Sequence, residues 1–353
     1  MKILANITGI EYKPLMCRKL SEYSYDKLEE ALHKDATFIL NLDVKNKLAV
    51  SWWVSAKRTR SYPYGRVYDS LSFSGKKITI IPIIKDEGKD GDRDFLQWDT
   101  VSLMSLLGVY VIIAYYDSAN KSKDYDNKIT EQRFDLNHVR NEIKKLLSYQ
   151  SDALHWNLEQ IENVGKLSNK AIENYGEISK KLGVKMHSAP LAQKRIAELI
   201  KGKEIFMRLS RSLAQKAQAR ESFTLQPKEK VDGSKCILTI KNYLGGYYYF
   251  TSDEVIMNKD NVSLIEAKNT KEDKLPSIGD IKDGLLKMIL FRNLKDVSID
   301  EKVYTLTAVL KLTTGNKFDL KSIGDYERSI ITKLKEEAKE NGFLIKINEE
   351  YIK

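Results

Sequence analysis

The sequence predicts an α/β protein of two domains, on three observations. At 353 residues the chain is long enough for two separate cores. Short apolar runs of strand length alternate with stretches whose apolar residues recur at helical spacing. The pattern breaks once, around residues 183–190, where Gly183 and Ser188-Ala189-Pro190 interrupt it. The expected division is 1–185, an N-terminal α/β domain with a helical extension, and 186–353.

In the N-terminal half, residues 37–42, 48–54 and 78–84 read as strands. Residues 99–107 form a short apolar helix ending at Gly108, and residues 109–116 a buried strand. Residues 133–183 are mostly helical, with Leu136, Val139, Ile143 and Leu147 near helical spacing. A long helix is expected over residues 192–222. Ile205, Phe206, Leu209, Leu213 and Ala217 form its apolar stripe, and Arg208, Arg211, Gln215 and Gln218 lie opposite. Two strands follow, 247–257 and the run closing at Lys268, joined by a hairpin at Asn258-Lys259-Asp260-Asn261. Ser277 with Asp280 predicts the cap of a helix running to about Leu294, and residues 303–312 read as a final strand.

Charge narrows the partners. Lysine and arginine number 59 against 49 acidic residues, a net charge of +10, which favours an acidic partner. Residues 185–250 hold 13 basic side chains against five acidic ones, a surplus of +8. Cys17 and Cys236 have no CxxC partner, and the four histidines are scattered, which argues against a zinc site or a disulfide framework. No signal peptide follows Met1, and the longest apolar stretch, residues 101–116, falls short of the ~20 residues that span a bilayer. These features predict a cytoplasmic protein with no membrane partner.

The chemistry concentrates at Glu266-Ala267-Lys268. Residues two apart on a strand share a face, so Glu266 and Lys268 point together, and the hairpin brings Asp253 across from them. Two hard oxygen ligands suit Mg²⁺, and a neighbouring ammonium can neutralise charge growing on a phosphodiester.

On these residues the chain resembles the PD-(D/E)xK nuclease superfamily, which includes most type II restriction endonucleases. Ser252-Asp253 stands for its first motif and Glu266-Ala267-Lys268 for its second, over roughly residues 190–312. The resemblance implies a C-terminal mixed sheet flanked by helices, like that of restriction endonucleases. It further implies Asp253 and Glu266 as Mg²⁺ ligands, Lys268 as the catalytic lysine, and Glu221 as a third acidic ligand supplied by a helix. Double-stranded DNA as substrate and a homodimer are implied as well. Ser252 departs from the proline in the motif's name, and Glu254 is a rival carboxylate on the opposite face. Lys282 or Lys287, on the following helix, could touch backbone phosphate.

Two clusters in the N-terminal half have competing readings. Trp52, Trp53, Lys57, Arg58, Arg60, Tyr62, Tyr64 and Arg66 interleave aromatics with cations, as surfaces that stack bases and hold phosphates do, and core packing explains the tryptophans equally well. With Arg208 and Arg211 they are the expected DNA contacts. The second cluster is Asp86, Glu87, Asp90, Asp92, Asp94 and Asp99. Asp90, Asp92 and Asp94 begin like a calcium loop, but Phe95 stands where that loop needs glycine and Val101 where it needs glutamate. An acidic turn capping the helix through Asp99 is the simpler account. Three functions follow: a Mg²⁺-dependent endonuclease with its C-terminal centre, a non-catalytic nucleic-acid-binding protein, and a nuclease centred on the N-terminal acids.

Overall fold

A computed structural model describes residues 1–57, 61–188, 234–242 and 247–352. The protein is mixed α/β, with eight α-helices and several sheets among the described residues. It divides into two compact units. Met1–Lys19 and Tyr64–Ser72 group with the described residues from 234 onward, and the described residues of 20–63 and 73–188 form the other unit. A single division at residue 185 therefore does not describe the packing.

The first unit is built on a nine-stranded mixed sheet of order β15-β14-β1-β11-β12-β13-β16-β17-β18. The ranges are β1 Lys2–Ile7, β11 Ser234–Asn242, β12 Tyr247–Asn258, β13 Asn261–Asn269, β14 Leu294–Ile299, β15 Lys302–Val303, β16 Thr305–Thr313, β17 Leu344–Ile347 and β18 Glu350–Ile352. β11, β12 and β13 form an antiparallel meander, whereas β13, β16 and β17 run parallel. The β12–β13 turn falls where the sequence puts it: Asn258 pairs with Asn261, and Lys259 takes the left-handed conformation a two-residue hairpin needs.

A parallel step requires a crossover, and the β13-to-β16 crossover contains helix α7, Ile278–Arg292. Ser277 caps it, Oγ accepting from the Asp280 amide at 3.1 Å, as the sequence predicts. Its Ile281, Leu285, Met288 and Ile289 are fully buried, and the helix packs on β13 and β16. Gly284 sets how close it lies: a Cβ there would sit 2.7 Å from Leu310 Cδ1 and 3.3 Å from Lys268 Cε.

Among the strands that the sequence reading missed, β1 matters most for the sheet. It lies between β14 and β11, parallel to the latter, and buries Ile3, Ala5 and Ile7 at period two. A second long-range tie joins helix α2, Pro63–Ser70, to helix α8, Asp325–Asn341. The Glu337 carboxylate is wholly buried; it accepts from Tyr68 Oη at 2.6 Å, Tyr12 Oη at 2.7 Å and the Met16 amide at 2.8 Å. Those donors compensate its burial.

The second unit holds a five-stranded sheet of order β2-β3-β4-β5-β8: Glu22–Ser24, Thr37–Asn41, Lys47–Trp52, Lys77–Pro82 and Val109–Ala114. Two hairpins accompany it, β6 (Ile84–Asp86) with β7 (Arg93–Phe95), and β9 (Tyr116–Lys121) with β10 (Ile129–Phe134). Its helices are α1 Leu28–Lys34, α3 Trp98–Leu106, α4 Leu136–Ser148, α5 Ala153–Glu162 and α6 Val164–Leu182. Gly108 and Gly183 end α3 and α6 in the left-handed conformation. Two local expectations change. Residues 133 and 134 belong to strand β10, because helix α4 starts only after its cap Asp135. Asp99 is not the cap of α3: that helix begins at Trp98, and Gln97 occupies the cap position.

Candidate active site

β12 and β13 bring the sequence-predicted acids together. One Asp253 carboxylate oxygen accepts from the Ala267 amide at 2.8 Å, which fixes it beside the Glu266–Lys268 face of the neighbouring strand. Glu266 is 1% exposed, so its charge needs compensation. Lys268 Nζ lies 2.9 Å from its Oε1, and Lys287 Nζ, from helix α7, lies 2.7 Å from its Oε2. Lys268 also approaches Asp283 Oδ2 at 3.3 Å, while the other Asp283 oxygen is buried without a hydrogen-bond partner. Three carboxylates and two ammonium groups thus share one partly enclosed site.

The electrostatics separate their roles. Burial, reinforced by the Glu266 charge, pushes the Asp253 carboxyl up to about 7. Burial acts on Glu266 in the same sense, but the Lys268 and Lys287 ammonium groups outweigh it and hold Glu266 below its ordinary value. Lys268 moves the opposite way: against burial, Glu266 and Asp283 raise it well above the usual lysine value. Lys287 is raised too, by Glu266 and Asp253. Lys268 and Lys287 therefore remain cations at neutral pH, while Asp253 exchanges its proton there.

The donor set suits a small hard cation in chemistry and number. Among the described residues, no three His, Cys, Asp or Glu side chains gather as a metal-binding group. Mg²⁺ commonly takes one or two protein carboxylates and completes its shell with water and phosphate oxygens, so Asp253 and Glu266 meet that need. Glu221, the third ligand implied by resemblance, lies outside the described residues.

Other expectations separate as follows. Glu254 faces the other side of β12 and pairs with Lys311 at 3.5 Å, which removes it as a rival to Asp253. Ser252 is buried, its Oγ donating to Ile265 O at 2.9 Å. Lys282 does not face phosphate: it is buried and ion-paired with Asp69. Lys287 and Asp283 are the site residues that sequence reasoning had not placed on Glu266 and Lys268. The available signal was their four-residue spacing on a helix predicted to follow the motif.

In the second unit, Trp53 is fully buried, so it cannot stack bases, and Tyr64 of the first unit is buried as well. Trp52 is half-buried and Lys57 exposed, the latter 3.8 Å from Asp94. Arg66 is half-buried in helix α2. Arg58, Arg60, Arg208 and Arg211, with the helix expected over residues 192–222, lie outside the described residues.

The N-terminal acids stabilise their own loop. Asp86 accepts from the Gly88 amide at 2.9 Å and lies 2.7 Å from His187 Nδ1. Glu87 pairs with Lys85 at 2.9 Å, Asp94 accepts from Ser55 Oγ at 2.7 Å, and Asp90 accepts from the Asn127 amide at 2.9 Å. Among the described residues, no calcium-loop ligand set forms there.

No family model, curated protein or solved structure matches this chain. Among the described residues, no helix is long and apolar enough to cross a membrane.

Proposed function

We propose that the protein is a Mg²⁺-dependent endonuclease that hydrolyses phosphodiester bonds of double-stranded DNA, in the manner of a type II restriction enzyme. The observation that carries this reading is the convergence of Asp253, Glu266 and Lys268 on adjacent strands, with Lys287 and Asp283 delivered by the following helix. Asp253 and Glu266 would hold the cation, which supplies Lewis-acid polarisation of a phosphate oxygen and acidifies water.

The residues set the remaining chemistry. With Asp253 protonated, Glu266 and Asp283 balance Lys268 and Lys287; with Asp253 ionised, the site carries one negative charge. A divalent cation held there would make the site positive, the sign that attracts a phosphodiester. Lys268 is too strongly held as a cation to accept a proton, so its role is to neutralise charge developing on the phosphate. Lys287, which pairs with Glu266 at 2.7 Å, would supply a second positive charge for the same purpose.

Arg58, Arg60, Arg66, Arg208, Arg211, Lys57 and Trp52 are the proposed DNA contacts, and a homodimer the proposed form, because two strands require two cuts. The test is incubation of mixed plasmid DNA with the protein, with and without Mg²⁺, alongside Lys268→Met. Mg²⁺-dependent linear products that the variant fails to make support the reading; equal cutting by the variant rejects the site. DNA binding without any cleavage favours the non-catalytic alternative.

A further inference from the structure

A cavity of about 700 Å³ opens in the second unit, and no residue of the proposed active site lines it. Its walls come from α1, β4, β9, β10 and α4. Trp52 supplies an aromatic surface: its ring is half-buried, its Nε1 donates to Asp35 O at 2.8 Å, and it meets Phe134 edge to face at 6.2 Å. A ring fixed at both edge and face gives a rigid platform. Three carboxylates, Glu29, Asp117 and Glu131, share the lining with Arg140.

Two features of the lining bear on what this cavity could hold. The Arg140 Nη2 donates to Asp26 O at 3.3 Å, but its Nε is buried without any hydrogen-bond partner. A buried cationic donor left unmatched is costly unless a ligand completes it. The β9–β10 hairpin also shifts register between Thr130 and Phe134, and Glu131 is held with φ of 49°. A bulge of this kind re-aims side chains, and a non-glycine left-handed residue persists where the surroundings impose it.

We infer that this cavity binds a nucleotide whose base carries an exocyclic amine, as adenine, cytosine and guanine do, stacked on Trp52 with its amine donating to the carboxylates and its acceptors facing Arg140. Cavities of this size enclose small ligands through an aromatic wall and a few convergent polar groups. The base can arrive as a free nucleotide or as a base turned out of duplex DNA, which exposes its hydrogen-bonding edge to such a pocket. Only the second source rests on the nuclease reading.

The test titrates dAMP, dCMP and dTMP into the full chain by calorimetry, and separately records the fluorescence of a duplex containing 2-aminopurine. dAMP or dCMP should bind measurably more tightly than dTMP, and Trp52→Ala should weaken binding about 5- to 150-fold, the range of one base stack. Arg140→Gln and Glu131→Gln, checked for an unchanged melting curve, should each weaken it without disturbing the tryptophan. A change in 2-aminopurine fluorescence on mixing that Trp52→Ala converts into a larger rise assigns the base to DNA; nucleotide binding with no change in either protein assigns it to free nucleotide. Wild-type protein that binds no nucleotide and leaves the duplex signal unchanged overturns the inference, as does binding that Arg140→Gln and Glu131→Gln leave intact. Glu266→Gln should retain the binding, so loss of cleavage and loss of this pocket are read independently.

Discussion

Two acid-rich regions, one in each unit, neutralise their charge by different means. Around Asp86, Glu87, Asp90 and Asp94, amides, a hydroxyl and a histidine meet the carboxylates alongside Lys85, Lys57 and Arg93. Around Glu266, lysines from strand and helix supply most of the compensation, and one oxygen of Asp283 has no partner. The first arrangement uses acids as acceptors for the chain itself. The second concentrates opposite charges that a metal ion and a phosphate could redistribute.

The comparison would fail most visibly in cleavage. Lys268→Met should lower the rate by about 100- to 1000-fold, the cost of removing a preorganised charge stabiliser, while Asp94→Asn in a stably folded protein should leave it within about twofold. Initial rates on one plasmid settle the matter, and the reverse ranking would move the centre to the N-terminal acids.

Stability gives the next largest contrast. Lys287→Met removes one of two cations from a buried carboxylate and should cost toward the lower end of about 3–5 kcal/mol, since Lys268 still faces Glu266. Chemical denaturation in EDTA measures it. A loss below about 1 kcal/mol would mean that Glu266 is not held as a buried anion.

Acidity sharpens the same contrast. Because the Asp253 carboxyl is raised to about 7, the folded protein keeps a proton there that the unfolded chain has lost above the ordinary carboxylate range. Stability contributed by this group therefore falls as pH rises from about 4 to about 7, and Asp253→Asn should gain stability over wild type across that window. Proton and metal compete for the same oxygens, so wild-type Mg²⁺ affinity should rise about fivefold from pH 6 to pH 7 and only about twofold more above it. A flat affinity profile would show that Asp253 is already ionised at pH 6.

The smallest effect is expected at Gly284. Alanine favours a helix over glycine by about 1 kcal/mol, but its methyl would press on Leu310 and on the Lys268 stem. Gly284→Ala should therefore change stability by less than about 1 kcal/mol while lowering cleavage severalfold. Unchanged cleavage would show that Lys268 tolerates displacement.

The hairpin, the capped helix and the N-terminal strands were legible because each rests on local signals: a two-residue turn at Lys259-Asp260, a Ser277 cap, and apolar runs at residues 78–82 and 109–114. Asp253 and Glu266 were legible because strand period and hairpin register together fix which side chains meet. What failed depends on distant pairing. Trp53 looked like half of an aromatic surface because sequence cannot tell which of two adjacent tryptophans turns inward. Lys282 looked solvated because its partner, Asp69, lies 213 residues away. β1 carries a clear alternation of Ile3, Ala5 and Ile7, yet nothing local says that its neighbours begin at Ser234 and Leu294.

The placement of β1 has a consequence during synthesis. A ribosome adding about 5–20 residues per second emits this strand roughly 10–50 s before β11 exists to pair with it, and later still for β14. Through that interval Ile3, Ala5 and Ile7 have no sheet to enter, so the first unit completes only after the second has been made. Its large sheet therefore closes late, over a sequence separation of the kind that slows folding.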